Sequence, residues 1–326
     1  MKTKILVTGA LGQIGSELVP ALRARYGADQ VVASDIRMMS REELLRTEGP
    51  FDFLDCTNQR QVQDVVQRNQ VGTIYHLVAL LSAVGESKPQ VAWDVNMGSL
   101  YRVLEVARIN NCGVFVPSSI GAFGPGTPQD QTPQDTFQRP TTIYGVTKVA
   151  GELLCDYYNH RFGIDTRGVR FPGIISHGTL PGGGTTDYAV EIFYEAIRNR
   201  HYTCFLRPDT SLDMVYMPDA VKAAIDVMEA DPDQLMHRNA FNITAMNLTP
   251  EILAAEIRKH IPAFVIDYRI DHVRQAIADS WPNSLDDSAA RQEWGWAPRY
   301  DLPSLVCDML ENLEKKLTVE DANHAR

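Results

Sequence analysis

Residues 4–15 of the chain read Lys4-Ile5-Leu6-Val7-Thr8-Gly9-Ala10-Leu11-Gly12-Gln13-Ile14-Gly15. Residues 4–8 form a short, mostly apolar run that is typical of a buried β-strand, and three glycines follow at intervals of three. Apolar residues at helical spacing then predict a helix over 16–25. A strand, a glycine turn and a helix in this order are typical of a dinucleotide-binding site, because the unpaired N–H groups at the helix N-terminus attract a pyrophosphate. The alternative interpretation is an ordinary turn between a strand and a helix that happens to contain glycines.

Beyond this turn, short apolar runs alternate with helical patterns. The runs predict strands at 30–34, 51–54, 73–77, 113–117 and 165–170, and the helical patterns predict helices at 59–68, 89–110 and 143–161. This alternation predicts an α/β fold in which a doubly wound parallel sheet, a Rossmann fold, carries helices on both faces. Since ligands bind such sheets beyond the carboxyl ends of the strands, the residues that follow the strands are expected along one rim.

The pattern becomes less regular after residue 170. Helices are expected at 187–199, 218–230, 250–260, 286–294 and 302–316, and strands at 214–217 and 264–268. We therefore expect an NAD-binding Rossmann domain at 1–172 and a smaller, mixed α/β substrate domain at 173–316. The second domain is expected to return some elements to the first. The polar residues at 317–326 predict a disordered tail.

Composition excludes several classes of protein. The 326 residues include 41 acidic and 31 basic ones, for a formal net charge of -10, which argues against nucleic acid or an anionic membrane as a partner. The five cysteines are far apart without a C-x-x-C pair, so neither a disulfide framework nor a metal site is expected. Without a signal peptide or a long apolar run, the sequence favours a cytoplasmic protein.

Asp35 follows the second predicted strand, twenty residues after Gly15. An acid at this place accepts hydrogen bonds from the adenosine ribose hydroxyls and repels a 2′-phosphate, so the position predicts NAD rather than NADP. Arg37 complicates this prediction, because a nearby arginine is able to accommodate the phosphate.

Tyr144 and Lys148 lie four residues apart at the start of the predicted helix over 143–161. Side chains at this spacing share one face of a helix. An ammonium group beside a phenol favours the phenolate, so the pair is suited to proton transfer. Tyrosine and lysine also meet at this spacing by chance in many helices.

The three glycines, Ser119 and Tyr144-x-x-x-Lys148 together resemble the extended short-chain dehydrogenase/reductase family, the NAD-dependent epimerases and dehydratases, over nearly the whole chain. The resemblance implies that Tyr144 is the general acid/base, that Lys148 holds the nicotinamide ribose and activates Tyr144, and that Ser119 binds the reacting oxygen. It also implies a set of NAD contacts beyond the two catalytic helix residues, namely Gly9, Gly12, Gln13, Ile14, Gly15, Asp35, Ile36, Arg37, Asp55, Cys56, Leu77, Val78, Ala79, Leu81, Asn96 and Pro172.

Three segments, at 117–124, 181–187 and 211–218, are most similar to the short-chain type of L-threonine 3-dehydrogenases. This resemblance implies oxidation of the threonine C3 hydroxyl by NAD to give 2-amino-3-oxobutyrate. A dehydratase is disfavoured, because Ser118-Ser119-Ile120 replaces the Thr-Asp-Glu run that such enzymes use. A nucleotide-sugar epimerase or reductase remains the main alternative, with Arg207 as a candidate phosphate ligand. A non-catalytic NAD-binding regulator is a further alternative, although the catalytic residues are all present.

The resemblance further implies a set of substrate contacts around the catalytic residues, namely Ser82, Ser118, Ser119, Tyr144, Gly184, Thr185, Thr186, Asp187 and Trp281. Hydroxyls and backbone N–H groups are suited to the carboxylate of an amino acid, and an acid such as Asp187 is suited to its ammonium group. Several of these residues have a structural alternative, since Ser82, Thr185 and Thr186 are also able to cap a turn or a helix. Trp281 is expected either as a lid on the pocket or as a packing residue of its own domain.

The resemblance also implies a homodimer, in which the helices over 89–110 and 143–161 pair with their symmetry mates as a four-helix bundle. By position alone, Tyr101, Leu104 and Leu154 are expected to contribute to this interface.

Overall fold

A six-stranded parallel sheet forms the centre of the first half of the chain. The structure is a computed structural model that describes residues 4–39, 48–180 and 182–324. The sheet runs in the order β3-β2-β1-β4-β5-β7, and every neighbouring pair is parallel. Its strands are β1 (Lys4–Thr8), β2 (Val31–Asp35), β3 (Phe51–Phe53), β4 (Val71–His76), β5 (Gly113–Phe115) and β7 (Thr166–Arg167). The predicted doubly wound α/β fold is therefore confirmed.

Helices cover both faces of this sheet. On one face, α2 (Gln59–Asn69), α4 (Pro89–Asn110) and α5 (Ile143–Phe162) bury apolar side chains in one core cluster. On the other face, α1 (Gly15–Tyr26) packs with α7 (Met217–Glu229), which comes from the second half of the chain. The second half therefore contributes at least one helix to the Rossmann sheet. A short helix, α3 (Ser82–Ser87), was not predicted.

The second half has a core of its own beside three small sheets. Its strands are β9 (Gly173–Ile175), β10 (His201–Cys204), β11 (Leu212–Tyr216), β13 (Met246–Leu248) and β14 (Val265–Tyr268). Its helices are α6 (Tyr188–Arg198), α8 (Pro250–His260), α9 (His272–Asp279), α10 (Ser288–Trp294) and α11 (Leu302–His324). The Thr249 side chain caps α8, and Pro250 is its first residue, as the sequence predicted. No helix in the described part of the chain is long and apolar enough to cross a membrane.

The strand predicted at 165–170 is divided in two. Thr166–Arg167 pairs with β5 in the central sheet, whereas β8 (Val169–Phe171) pairs with β6 (Ser118–Ser119) and β12 (Phe241–Asn242). The predicted strand is divided because its first part pairs with β5 and its second part pairs with strands outside the central sheet. Consequently β6 and β8 lie side by side just beyond the carboxyl ends of the central strands.

Two expectations about helices require correction. The last helix continues to His324, whereas the sequence predicted disorder from residue 317; residues 325 and 326 lie outside the described range. The segment 317–324 contains neither glycine nor proline, so nothing in it interrupts the helix. Leu104 was expected at a dimer interface, but its side chain is fully buried in the core of its own chain. Tyr101, which was also expected at the interface, is exposed on α4, and Leu153 and Tyr157 are exposed on α5.

Candidate active site

The glycine turn lies between β1 and α1. Gly9 has a φ of +72°, a conformation that favours glycine. A Cβ on Gly15 would lie 2.4 Å from the Gly9 carbonyl oxygen, so only glycine permits this close turn. The backbone N–H groups of Gln13 and Ile14 have no acceptor among the described residues, and both residues line the cleft at the rim of the sheet. The turn therefore offers a pyrophosphate unpaired donors at the start of a helix, as a dinucleotide requires.

Asp35 lies at the end of β2, beside this turn. Its carboxylate accepts hydrogen bonds from the backbone N–H groups of Leu11 and Arg37, each at 3.0 Å. The Arg37 guanidinium donates to the Leu11 carbonyl oxygen and lies 3.5 Å from the Asp35 carboxylate. The acid is therefore oriented by the glycine turn itself. The adjoining Ile36 side chain is exposed.

Asn96 holds the loop that follows β4. Its side chain accepts a hydrogen bond from the Leu80 N–H at 2.7 Å and donates to the Leu80 carbonyl at 3.2 Å and to the Thr147 hydroxyl at 3.1 Å. These three hydrogen bonds connect the loop to two helices, which supports the expectation that Asn96 acts as a structural residue. The same loop contributes Leu77, Ala79 and Leu81 to the cleft.

Of the remaining predicted cofactor contacts, Pro172 lines the cleft, whereas Val78, Asp55 and Cys56 lie outside its lining. Val78 packs against the core and faces a small internal cavity. The Asp55 carboxylate accepts two hydrogen bonds from Thr57, which close a local turn. Cys56 is buried, and this burial raises the pKa of its thiol to about 12, so it is an unreactive packing residue.

The cleft runs along the rim from Arg37 to Trp281. One section is lined by the glycine turn and the loop after β4, and the adjoining section by the catalytic candidates and the loop before α6. Five residues line both sections, namely Gln13, Ile14, Leu77, Ala79 and Leu81. A single elongated cleft of this kind fits an NAD molecule with its nicotinamide end toward Tyr144.

Tyr144 and Lys148 lie in the first two turns of α5. The Thr142 hydroxyl caps the helix by accepting a hydrogen bond from the Gly145 N–H at 3.0 Å. The Lys148 Nζ donates to the Pro117 carbonyl oxygen at 2.7 Å and lies 5.3 Å from the centre of the Tyr144 ring. The two side chains therefore share the helix face that the sequence predicted, and both line the cleft.

Ser119 lies against the same tyrosine. Its hydroxyl accepts a hydrogen bond from the Gly121 N–H at 3.1 Å. A Cβ on Gly121 would lie 3.1 Å from two carbons of the Tyr144 ring, so glycine lets the ring rest on this turn. The structure thus brings together all three predicted catalytic residues.

The predicted substrate residues close the far end of the cleft. Ser82 and Thr185 are buried, with their hydroxyl oxygens 3.4 Å apart. Thr186 lines the same end, and Trp281 is buried in the core of the second half while also lining the cleft. Its burial fits a packing residue, and its place in the cleft lining is compatible with the substrate contact predicted for it.

Asp187 stabilises the loop that carries these threonines. Its carboxylate accepts hydrogen bonds from the N–H groups of Gly183 and Gly184, at 2.8 and 2.7 Å. Burial raises the pKa of this carboxyl group above its ordinary value, although the two N–H groups oppose the shift. Asp187 therefore already has a structural task in addition to the ammonium contact predicted for it.

Ser118 differs from its predicted role. It lies at the cleft wall, but its hydroxyl donates a hydrogen bond to the buried Glu152 carboxylate. Sequence reasoning missed Glu152 and its partner Arg170, as well as the apolar wall formed by Ile120 and Ile174. The spacing of Glu152, four residues after Lys148 on the same helix, is a signal that could have identified it.

The chain is similar to characterised and uncharacterised proteins over nearly its whole length. The model of the NAD-dependent epimerase/dehydratase family matches residues 5–244. An uncharacterised epimerase/dehydratase from Staphylococcus haemolyticus is 54% identical over 313 residues, covering 96% of this chain and 98% of the relative. Among solved structures, L-threonine dehydrogenase from Clostridium difficile has a TM-score of 0.93 and 55% identity, covering 96% of this chain and 98% of that one. A GalE-like L-threonine dehydrogenase from Cupriavidus necator, in its holo form, has a TM-score of 0.92 and 51% identity, covering 95% and 99%.

Proposed function

Because the chain belongs to the NAD-dependent epimerase/dehydratase family and is of the extended short-chain dehydrogenase/reductase type, we propose that it oxidises the C3 hydroxyl of L-threonine with NAD to give 2-amino-3-oxobutyrate. The observation that carries this proposal is the cleft end beside Tyr144. Small hydroxyl residues and a buried tryptophan close that end, which leaves it suited to a small polar substrate. The solved threonine dehydrogenases of similar sequence support the same substrate.

The chemistry assigned to each residue follows from its position. NAD, held along the glycine turn and by Lys148, would supply the hydride acceptor for C3 of the substrate. Tyr144, as phenolate, takes the proton of the C3 hydroxyl, and Ser119 orients that hydroxyl. The Lys148 ammonium group stabilises the phenolate, and the Pro117 carbonyl oxygen accepts a hydrogen bond that fixes the position of the ammonium group. One hydride and one proton leave the substrate, so the alcohol becomes a ketone.

A zwitterionic amino acid matches the remaining groups. The hydroxyls of Ser82, Thr185 and Thr186 are suited to a carboxylate, and the acidic Asp187 to an ammonium group. The apolar side chains of Ile120 and Ile174 leave room for the substrate methyl group. This assignment deepens the prediction made from the sequence, except that Ser118 is engaged by Glu152.

A nucleotide-sugar epimerase or reductase is the second candidate, and the cleft gives it less support. A diphosphate requires cations, but Lys148 is the one cationic side chain among the described residues that line the catalytic section. Arg207, the candidate phosphate ligand, is absent from that lining and pairs with Asp279 at 2.8 Å. A non-catalytic regulator is disfavoured because Ser119, Tyr144 and Lys148 meet in one place.

The test is the absorbance of NADH formed when the purified protein is mixed with NAD and one substrate at a time. The panel contains L-threonine, D-threonine, L-allo-threonine, L-serine and two UDP-sugars. We expect NADH with L-threonine and little or none with the UDP-sugars. Because an epimerase regenerates NAD within each turnover and forms no net NADH, the UDP-sugar reactions are also analysed for the epimer by chromatography. Conversion of a UDP-sugar without oxidation of L-threonine would replace this proposal by the second candidate.

The assembly belongs to the proposal as well. Tyr101 on α4 and Leu153 and Tyr157 on α5 are 50%, 63% and 52% exposed, and a second copy of the chain would cover them in a four-helix bundle. We infer a homodimer of this kind. We also infer that the enzyme works in the cytoplasm, because its cysteines are free thiols, as in reducing compartments. Oxidation of threonine with NAD would belong to threonine catabolism.

A further inference from the structure

A buried ion pair lies behind the wall of the catalytic cleft. Glu152 on α5 and Arg170 on β8 have side chains that are 5% and 8% exposed. The Arg170 Nε and Nη2 groups donate to the two oxygens of the Glu152 carboxylate at 3.0 and 2.8 Å. A two-pronged pair of this kind fixes the orientation of both side chains.

The pair joins five segments of the chain, namely α5, β8, β6, β12 and the loop that contains Gln134 and Gln138. The Glu152 carboxylate accepts further hydrogen bonds from the Ser118 hydroxyl on β6 and from the Gln138 side chain at 2.8 Å. The Arg170 Nη1 group donates to the Gln134 carbonyl at 2.8 Å and to the Asn242 side chain at 3.1 Å. The Ser118 contact reaches the strand that carries the catalytic Ser119.

Glu152 does not itself line the catalytic section of the cleft. It faces a small internal cavity that is separated from the cleft by Lys148 and Ser118, which line both spaces. His76 also lines this cavity, and burial lowers its pKa to about 3, so the imidazole is neutral there. The charged groups around the cavity are therefore Lys148 and Glu152.

Geometry links Glu152 to both catalytic partners of Tyr144. Ser118 is held by Glu152, and its two chain neighbours are Ser119 and Pro117. Ser119 orients the substrate hydroxyl in the proposed mechanism, and the Pro117 carbonyl oxygen accepts the Lys148 ammonium at 2.7 Å. Displacing Ser118 would therefore displace the groups on either side of it.

We propose that Glu152, paired with Arg170, is a positioning residue that acts through the Ser118 hydroxyl to hold Ser119 and the Pro117 carbonyl in their catalytic places. This assigns Ser118 to the support of the site rather than to the substrate. The inference rests on the proposed function for its assay. A buried ion pair often contributes little net stability, which is consistent with a role in fixing geometry.

The experiment compares Glu152→Gln, Ser118→Ala and the double variant with the wild type. In Glu152→Gln an amide NH2 group replaces one carboxylate oxygen. At either oxygen position this donor faces an N–H donor of Arg170, and at the Oε2 position it also faces the Gln138 amide. Active sites are counted by NADH binding, so misfolded protein does not contribute to kcat. We expect kcat with L-threonine to fall by about 10- to 100-fold in Glu152→Gln, because small displacements of catalytic groups have effects of this size. KM for L-threonine and the affinity for NADH should change by less than about threefold.

The matched control is Glu293→Gln. Glu293 is also buried, and it accepts hydrogen bonds from the His237 ring and from two backbone N–H groups far from the cleft. We expect this variant to lower the melting temperature while leaving kcat per NADH-binding site unchanged. A purely structural role for Glu152 would produce the same result in Glu152→Gln and would overturn the proposal.

The double variant tests the route through Ser118. If Glu152 acts through that hydroxyl, the double variant loses no more kcat than the larger single loss, whereas independent effects would multiply. If Glu152→Gln does not fold, the result for Ser118→Ala decides. A lower kcat at unchanged KM supports the proposal. A raised KM at unchanged kcat identifies Ser118 as a substrate contact and refutes the proposal. Should the wild type not oxidise L-threonine, the proposed function fails, and the same ratios are measured with whichever panel substrate it does oxidise.

Discussion

Replacing Asp35 with alanine should change both the strength and the selectivity of cofactor binding. The carboxylate lies at the end of β2 and is oriented by the Leu11 and Arg37 N–H groups. An acid at this place in a dinucleotide-binding fold accepts hydrogen bonds from the adenosine ribose. The alanine removes both the ribose acceptor and the charge that repels a 2′-phosphate.

The size of the effect follows from the hydrogen bonds that are lost. A hydrogen bond to a charged group contributes about 1.5–3 kcal/mol, and about 1.4 kcal/mol corresponds to a tenfold change in affinity. Loss of one ribose hydrogen bond should therefore weaken NAD binding by about 10- to 100-fold. Asp35→Asn is the matched control, since its amide oxygen still accepts from one backbone N–H group but carries no charge. It should lose selectivity against NADP with a smaller loss of NAD affinity.

Arg37 determines how well the variant binds NADP. In the wild type its guanidinium is occupied by the Leu11 carbonyl and lies 3.5 Å from Asp35. Without the acid, that guanidinium is free to pair with a 2′-phosphate, so NADP binding should improve in Asp35→Ala and be lost again in Asp35→Ala/Arg37→Ala. The assay is fluorescence titration with NADH and NADPH, followed by kcat/KM for both oxidised cofactors. Wild-type enzyme that used NADP as readily as NAD, or an Asp35→Ala variant with unchanged NAD affinity, would refute this reasoning.

Three further predictions concern the helix of the active site and a surface histidine. Tyr144→Phe should lower kcat by about 10²–10⁴-fold while NADH binding persists, because the ring remains but the proton acceptor is lost; near-normal turnover would contradict the mechanism. Leu153→Glu with Tyr157→Glu should convert a dimer to a monomer in sedimentation velocity, and a wild type that is already monomeric at micromolar concentration would remove the interface. Burial opposes protonation of His237, but hydrogen bonds to Glu293 and Asp135 outweigh it and raise its pKa. The stabilisation by the charged ring is complete below the unfolded pKa of about 6.5 and is lost as pH rises through the folded pKa, so wild-type stability in urea should fall over this interval and His237→Gln stability should not.

Local patterns were sufficient to predict the elements that position the cofactor. The structure confirms β1 at Lys4–Thr8 and α4 at Pro89–Asn110 with the predicted bounds, and α5 within one residue of its predicted end. For each of these elements, the spacing of the apolar residues and the flanking glycine or proline predict the same type of element and the same bounds. The shared face of Tyr144 and Lys148 followed from helix geometry alone.

The failures concern contacts between residues far apart in the chain. The resemblance implied a substrate contact for Ser118, but no local pattern indicated that its hydroxyl donates to a carboxylate thirty-four residues away. Leu104 was expected at an interface because it lies on a long helix, yet that side of the helix faces the chain's own core. A single sequence shows the period of a helix but not which neighbour each face will meet.

The helix α5 shows why one element serves so many tasks. With about 3.6 residues per turn, each step of four residues rotates a side chain by about 40° around the axis. Tyr144 and Lys148 therefore face the cleft, Glu152 has turned into the interior behind it, and Leu153 lies about 100° farther around, on the exposed side. The catalytic residues, the positioning residue Glu152 and the inferred dimer interface therefore lie on different faces of one helix. Changes that remove a side chain from one face should leave the other faces working, whereas a change that tilts the helix should impair all three at once.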